Sequence, residues 1–438
     1  MPGAFERLTP PWEEVGLLRH PEGLAEGDEV ELRVGSWPVR MRWLARIEEV
    51  RANRGFRDVQ VRGPFAAWAH EHRFEPSGTE QAILRDEVKY ALPLDPLARP
   101  IAGPFVKQKL KRMFAYRHCI TERDLKRNRE SKMKTMRIAI TGASGLVGSA
   151  LVPLLRSAGH EVLRLVRRPA KSDDEVQWHP GAGFPAGTEK LEGCDAVIHL
   201  AGENIAGGRW SDERRRRIRS SRVEGTRTLC EALAQLKEKP EVLISSSAIG
   251  YYGETGDAWA DETSPRGSGF LPEVSQEWEE ATFSASDAGI RVVLARTGIV
   301  LSPRGGALEK MLPLFRLGVG GALGNGRQYM SWISIEDEIG AFLHCLSEKS
   351  IEGPVNFTAP NPVTNRDFTK TLARVIHRPV APPVPGFALR LLYGKMADEA
   401  LLRSTRVRPG KLEETGYTFL HHHLKEALHE VLGRPKEE

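Results

Sequence analysis

Along the first third of the chain, hydrophobic and polar positions alternate. Val30, Leu32 and Val34 are separated by Glu31 and Arg33, and Val39, Met41, Trp43, Ala45 and Ile47 are separated by mostly basic neighbours. A period of two places every second side chain on one face of a strand, so these runs predict a sheet that buries one face. Further strands are expected at FRDVQVRG, WAHEHRFEP and AILRDEVKYAL, followed by helical spacing in FVKQKLKRMFAYRH. An antiparallel sheet wrapped against one long helix can enclose an apolar pocket. From Thr121 to Thr135 the segment TERDLKRNRESKMKT is highly charged, as a solvated connection or an exposed helix extension would be. After it the pattern changes to short β-branched runs between helical stretches: RIAITGAS, EVLRLVRR, AVIHLAG, EVLISSSA and RVVLARTGIVL. Such runs are strands of a parallel sheet covered by helices on both faces. Beyond Pro360 the chain is more helical and is interrupted by PVAPPVPG, a pattern expected of a small substrate-side lobe.

The resulting expectation is an α+β domain over residues 1–125, a charged linker over 126–135, a doubly wound α/β domain over 136–375 and a C-terminal mixed lobe over 376–438. A length of 438 residues supports two or three such domains. No stretch approaches the roughly 18 consecutive apolar residues that cross a bilayer, and MPGAFERLTPPWEE lacks the apolar core of a signal peptide. A cytoplasmic address with no membrane span is expected. Cys119, Cys194, Cys230 and Cys345 form no CxxC pair, so reduced thiols packed as small hydrophobes are expected. The net charge of +5 comes from 63 basic and 58 acidic residues. So small an excess does not point to nucleic acid, and phosphate-bearing small molecules need the same positive charge.

MRIAITGASGLVGSALVPLL places Gly142, Gly145 and Gly148 between a strand and a helix at the start of a βαβ pattern. Glycines permit the tight turn and the close approach of a pyrophosphate, and the helix N-terminus offers free N–H groups. About 20 residues further on, NAD-binding chains place an acidic residue for the ribose 2′-hydroxyl. Arg167 and Arg168 stand there instead, and two guanidinium groups suit the 2′-phosphate of NADP(H).

TGASGLVG, CDAVIHLAG, SRVEGTRTL and SSSAIGYYG together resemble the extended short-chain dehydrogenase/reductases (SDR). HLAGENIAGGRW, FLPEVSQEWEEA, ARTGIVLS and GKMADEALLRSTRVRPGKLEETGY are similar to the atypical epimerase-like branch, SDR family 39U, over about residues 136–432. The N-terminal region, through GPFAAWAHEHRFEP and KYALPLDP, resembles the START-like polyketide cyclase/dehydrase superfamily, whose helix-grip fold surrounds a hydrophobic cavity. The resemblance implies that Thr141, Gly142, Ser144, Gly145, Leu146, Val147 and Gly148 hold the pyrophosphate. Leu200, Ala201 and Gly202 would pass beneath the nicotinamide ribose, and Ser247 would hold a substrate oxygen.

One departure bears on the chemistry. The superfamily pairs a tyrosine with a lysine as YxxxK, where the ammonium eases proton transfer by the phenol. Here Leu271 and Ser275 align with those positions, and no Tyr or Lys lies between Gly253 and Glu309. Tyr251 and Tyr252, just beyond Ser247, are the remaining phenols at this strand end. Asn204 and Arg209, on a loop with Glu203 and Trp210, are candidate substrate-binding residues. His199 inside an apolar strand reads as a core histidine, and Arg214–Arg217 as a solvated helix face. His70 and His72 share one strand face but have no third ligand at a supporting spacing, so surface or pocket-mouth histidines are expected and no metal. Two functions fit these residues. One is an NADP(H)-dependent oxidoreductase or epimerase for a small polyol, nucleotide-sugar or carbonyl substrate. The other is an NADPH-binding sensor with little turnover. The N-terminal ligand and the oligomeric state are left open.

Overall fold

The computed structural model describes residues 3–19, 23–35, 40–78, 81–131, 133–184 and 187–434. Val39 and Lys132, both part of the patterns above, lie outside them. The chain divides into two units: Leu8–Glu122, and a larger one that joins Met1–Arg7 to Arg123–Glu438.

In the smaller unit the alternating runs become an antiparallel meander of β1 (Val15–Arg19), β2 (Glu29–Val34), β3 (Met41–Arg51), β4 (Gly55–Arg62), β5 (Ala67–Ser77) and β6 (Gln81–Ala91). Ala45, Ile47, Trp68 and His70 are buried, so the even-numbered side chains of β5 and the odd-numbered ones of β3 line the inner face. Trp43, Phe65, Trp68 and Tyr90 make edge and tilted ring contacts at centroid distances from 4.9 to 5.6 Å. The helix Arg99–Ser131 follows β6, and its residues from Arg123 onward count with the larger unit.

That helix changes the reading of residues 126–135. Helix continues through Ser131 as the exposed extension, with Lys126 and Asn128–Glu130 exposed, while one face is held by charge. The Arg123 guanidinium is 2.8 Å from Glu430, and Arg127 donates to the Glu336 carbonyl at 3.1 Å. The opening turn Ala4–Arg7 joins the same set, because buried Arg7 contacts Asp124 and Glu336 at 2.7 Å each. Burial alone would raise the Glu336 carboxyl, but the charge and hydrogen bonds of Arg7 outweigh it and bring it down to about 2.

The larger unit is built on a seven-stranded sheet. β7 (Arg137–Thr141), β8 (Glu161–Val166), β9 (Glu175–Gln177), β10 (Ala196–His199), β11 (Val242–Ala248), β12 (Arg291–Thr297) and Gly353–Phe357 all pair in parallel. Ile138, Ala139 and Ile140 are buried, as are Val197, Ile198, Leu243 and Ile244, which is why these strands show runs rather than alternation. From the edge, the order is Gly353–Phe357, β12, β11, β10, β7, β8, β9. The order reverses between β7 and β10, and open α/β sheets bind ligands at the carboxyl ends of the strands beside such a switch point. The fold is the expected doubly wound α/β unit with a C-terminal lobe, together with an antiparallel sheet and helix. Residues beyond 376 belong to the larger unit and form no separate compact one. Cys194, Cys230 and Cys345 are buried and Cys119 is exposed.

Candidate functional site

At the end of β7 the chain turns through Gly142, whose φ of +67° disfavours any side chain. A Cβ there would also stand 2.8 Å from the Leu200 carbonyl carbon. On Gly148 a Cβ would meet the Gly142 oxygen at 2.3 Å, so the helix Gly148–Ser157 starts directly against the turn. No side chain caps this helix, and Ser144 and Gly145 are exposed above it. An open glycine turn leading into a helix N-terminus is the arrangement that suits an anionic pyrophosphate, although Ser149 N and Ala150 N already bond the Gly145 and Val147 carbonyls. Leu146 packs beneath Gly305 and Gly306, where an added Cβ would approach it to 3.1 and 3.3 Å. Val147 is the residue before the helix.

Thr141 turns its side chain inward. Its hydroxyl accepts N–H bonds from Leu200 (3.0 Å) and Ala201 (3.1 Å), fixing the backbone that leads to Gly202. The hydroxyl proton is then directed at His199 Nδ1, 2.7 Å away, so His199 Nε2 donates to Thr226 at 2.9 Å. Complete burial pushes the His199 imidazole down to about 4, which keeps it neutral. It is a core residue that ties β7 to Thr226 through Thr141.

Two expected cation sites separate here. Both Arg168 Nη atoms bond to the Glu175 carboxylate at 2.7 and 2.6 Å, so its guanidinium is committed to the neighbouring strand β9. Arg167 is exposed at the end of the same strand, β8. Beyond β10, the Asn204 side chain accepts from Ala206 N at 2.9 Å and shapes its own turn. Arg209 is exposed and lies against Gly394. The basic run is only partly solvated. Arg214 pairs with Glu203 at 3.2 Å and bonds the Asn204 carbonyl, and Arg215 lies 4.5 Å over the Phe270 ring, while Arg216 and Arg217 are exposed.

At the end of β11 the structure adds residues that spacing did not reveal. Ser247 is buried and its hydroxyl donates to Glu279 Oε1 at 2.6 Å. Glu279 comes from the helix Phe270–Glu280, one turn beyond Ser275, and chelates Arg296 at 2.8 and 2.7 Å. Arg296 is the register partner of Ser247 on β12. It also donates to the Tyr252 hydroxyl at 2.9 Å, and that hydroxyl donates to Asn356 Oδ1 at 2.7 Å. Burial pushes the Tyr252 phenol up to about 12, against the Arg296 charge. Tyr252 is therefore bound into the interior. Tyr251 differs: it is half-buried, its ring faces the Arg296 guanidinium at 3.6 Å, and among the described residues no protein group bonds its hydroxyl. Ser247 and Tyr252 were named from the sequence, whereas Glu279, Arg296 and Asn356 were not; the signal that could have found them is a guanidinium inside the apolar run RVVLARTGIVL, which needs a buried partner.

The smaller unit also departs from expectation. His70 is buried, not at a surface, because the antiparallel register sets Asp58 opposite it and Asp86 opposite His72. These carboxylates supply the partners that spacing along one strand did not.

A glycine cradle at the switch point of a parallel sheet defines a dinucleotide-binding Rossmann protein. Residues 138–357 match the NAD dependent epimerase/dehydratase family, residues 2–115 match polyketide cyclase / dehydrase and lipid transport proteins, and residues 384–431 match a domain of unknown function, DUF1731. An epimerase family protein of Mycobacterium bovis is 46% identical over 298 residues, covering 68% of this chain and 98% of the relative. The crystal structure of human epimerase family protein SDR39U1 with NADPH is 33% identical, with a TM-score of 0.62 over 68% of this chain and 99% of the human one. The structure of the nucleoside-diphosphate sugar epimerase from Corynebacterium glutamicum is 33% identical, with a TM-score of 0.80 over 98% of this chain and 85% of that one. The chain belongs to the NAD dependent epimerase/dehydratase family and also carries a polyketide cyclase/dehydrase-type domain over residues 2–115.

Proposed function

We propose that the protein is an NADP(H)-dependent oxidoreductase or epimerase acting in the cytoplasm on a small polyol, nucleotide-sugar or carbonyl substrate. The observation that carries this reading is the half-buried Tyr251 phenol beside the glycine cradle's sheet edge, stacked on a buried guanidinium. NADP(H), when bound, supplies a hydride donor and acceptor. Gly142, Gly145 and Gly148 would hold its pyrophosphate, with Leu200, Ala201 and Gly202 along the ribose side. The human relative whose structure holds NADPH, and the Corynebacterium relative, a nucleoside-diphosphate sugar epimerase, support this cofactor and substrate class.

Arg296 stands in for the missing lysine of YxxxK as the positive charge beside a phenol, and Tyr251 delivers the proton. With its own hydrogen committed to Glu279, Ser247 offers only lone pairs, which suits a substrate hydroxyl rather than a carbonyl. Tyr251 is the donor a carbonyl requires. Asn204 and Arg209 would contact the remote part of the substrate from their loop. Tyr251→Phe is expected to lower turnover about 10²-fold, the scale of losing a positioned acid, with NADPH affinity unchanged. Ser247→Ala should lower it similarly, and Tyr252→Phe should act on stability. The assay is an NADPH-absorbance screen over sugars, nucleotide-sugars and small carbonyl compounds. Full turnover in Tyr251→Phe would remove Tyr251 from the mechanism.

The 2′-phosphate preference should rest on Arg167, since Arg168 is held by Glu175. Arg167→Ala should reduce an NADPH-over-NADH preference of tenfold or more, roughly 1.4 kcal/mol, to near parity in calorimetry. Arg168→Ala should leave most of that preference. Equal loss in both variants would contradict this division.

A second reading is an NADPH-binding sensor with little turnover. It is favoured by the closed chain of bonds from Ser247 through Glu279 and Arg296 to Tyr252, which spends two candidate groups on the interior. In either case the N-terminal unit would take an apolar or amphipathic ligand. The ring cluster around Trp68 supports this, as do the Trp43 and Trp68 indole N–H groups, which are buried with no hydrogen-bond partner among the described residues.

A further inference from the structure

The cluster around His70 has the chemistry of a metal site. Asp58, His70 and His72 each bring one ligand atom to within 4.8 Å of the others. Asp86 Oδ1 lies 3.0 Å from His70 Nε2 and 2.8 Å from His72 Nδ1, and its other oxygen lies 2.8 Å from His118 Nε2. With those ring nitrogens turned to Asp86, His70 presents Nδ1 and His72 presents Nε2. A carboxylate behind a histidine is the usual device that fixes which nitrogen faces an ion. Asp58 Oδ2 is buried and stands 3.3 Å from His70 Nδ1, with no other partner among the described residues. A carboxylate oxygen set this close to an imidazole nitrogen is satisfied by a proton on that nitrogen or, once the proton is displaced, by a metal cation between them. The 3.3 Å between Asp58 Oδ2 and His70 Nδ1 matches the separation of ligands about 2.0–2.1 Å from a tetrahedral zinc, and the three ligand atoms, within 4.8 Å of one another, need close in only slightly around an ion.

Charge and access agree. Arg117, beside His118 on the helix, carries a charge that couples to Asp86 and Asp58, so two carboxylates and one guanidinium leave a net negative site. The Asp58 and His72 side chains remain 23% and 18% exposed, which gives an ion a way in. Phe56 stacks on His72 at 4.2 Å and Phe114 meets His70 edge-on at 5.2 Å, so the imidazoles are held from their apolar sides as well.

We propose that Asp58, His70 and His72 bind one divalent first-row transition-metal ion inside the N-terminal unit, with Asp86 orienting both imidazoles. Two nitrogens and a carboxylate leave open coordination positions, so the ion can accept a polar group of whatever ligand this unit takes. The inference does not depend on the dehydrogenase reading.

The test uses the full chain stripped with chelator and titrated with Zn²⁺ by calorimetry, with Co²⁺ as a visible-absorption probe of coordination. One tight equivalent is expected. His72→Ala and Asp58→Asn, both at partly exposed positions, should each weaken it at least 100-fold, and Asp86→Asn by about 10–100-fold. The exposed pair His422 and His423 provides the control: replacing both with alanine should leave the tight equivalent intact. Circular dichroism confirms that each variant folds. The proposal is overturned if the wild type takes up no tight equivalent, or if His72→Ala and Asp58→Asn, once folded, bind as tightly as the wild type. A tight equivalent lost only with His422 and His423 would also overturn it.

Discussion

Arg296→Met is expected to destabilise the larger unit by about 3–5 kcal/mol, the cost of leaving one member of a buried ion pair without its partner. Glu279 is 8% exposed and would keep only the Ser247 hydroxyl as a donor among the described residues, while Tyr252 and the ring of Tyr251 would lose the guanidinium they face. Burial works against the charge on Arg296, but Glu279 outweighs it and raises the guanidinium above its ordinary value. The double variant Glu279→Met/Arg296→Met should recover much of the loss, because an apolar pair carries no desolvation cost. Urea unfolding of all three forms, followed by fluorescence, measures this. A loss below about 1 kcal/mol in Arg296→Met would show that the pair is not the brace described here. The same experiment bears on function, since a brace that is stiff and costly to break keeps Tyr251 aligned whether or not turnover occurs.

The second large effect concerns Glu338. Its side chain is wholly buried on the helix Ile335–Ser347 and, among the described residues, accepts only the Thr297 hydroxyl at 2.9 Å and leaves Oε2 without a partner. Burial pushes its carboxyl up to about 8, with the Thr297 bond pulling the other way. The folded protein therefore keeps a proton that the unfolded chain releases near the ordinary value of 4.5. Stability from this group is fully present below pH 4.5 and declines as pH rises toward 8. Glu338→Gln keeps the shape and removes the titration, so its advantage over the wild type should grow across that window to a few kcal/mol. His199 works in the opposite sense. Its depressed imidazole contributes stability above the ordinary 6.5 that is lost as pH falls toward 4, and this part is common to both proteins and cancels in the comparison. Melting temperatures of the pair from pH 5 to 9 give the answer, and parallel curves would refute a buried protonated Glu338.

How much of this was legible in the sequence follows from the range of the forces. The glycine turn, the parallel strands and the antiparallel meander rest on local periodicity and backbone geometry, and they stand where the pattern put them. Ser247 was legible because it ends an apolar run. Its engagement with Glu279 was not, because that contact joins a strand to a helix whose phase is set only by packing. Arg168 looked equivalent to Arg167 until β9 brought Glu175 alongside it. His70 and His72 were visible as a pair, but Asp58 and Asp86 reach them through cross-strand register, which spacing within one strand does not encode.

The contact of Arg7 with Asp124 has a genetic consequence. The chain leaves the dinucleotide-binding body at Arg7 and re-enters it at Arg123, so the sheet-and-helix domain sits in the reading frame as an insertion within its host rather than as a preceding module. Cutting at residue 123 would discard the guanidinium that holds Asp124 and Glu336 together, whereas splicing Arg7 to Arg123 through a short flexible tether would excise the guest and leave the host's own seam closed.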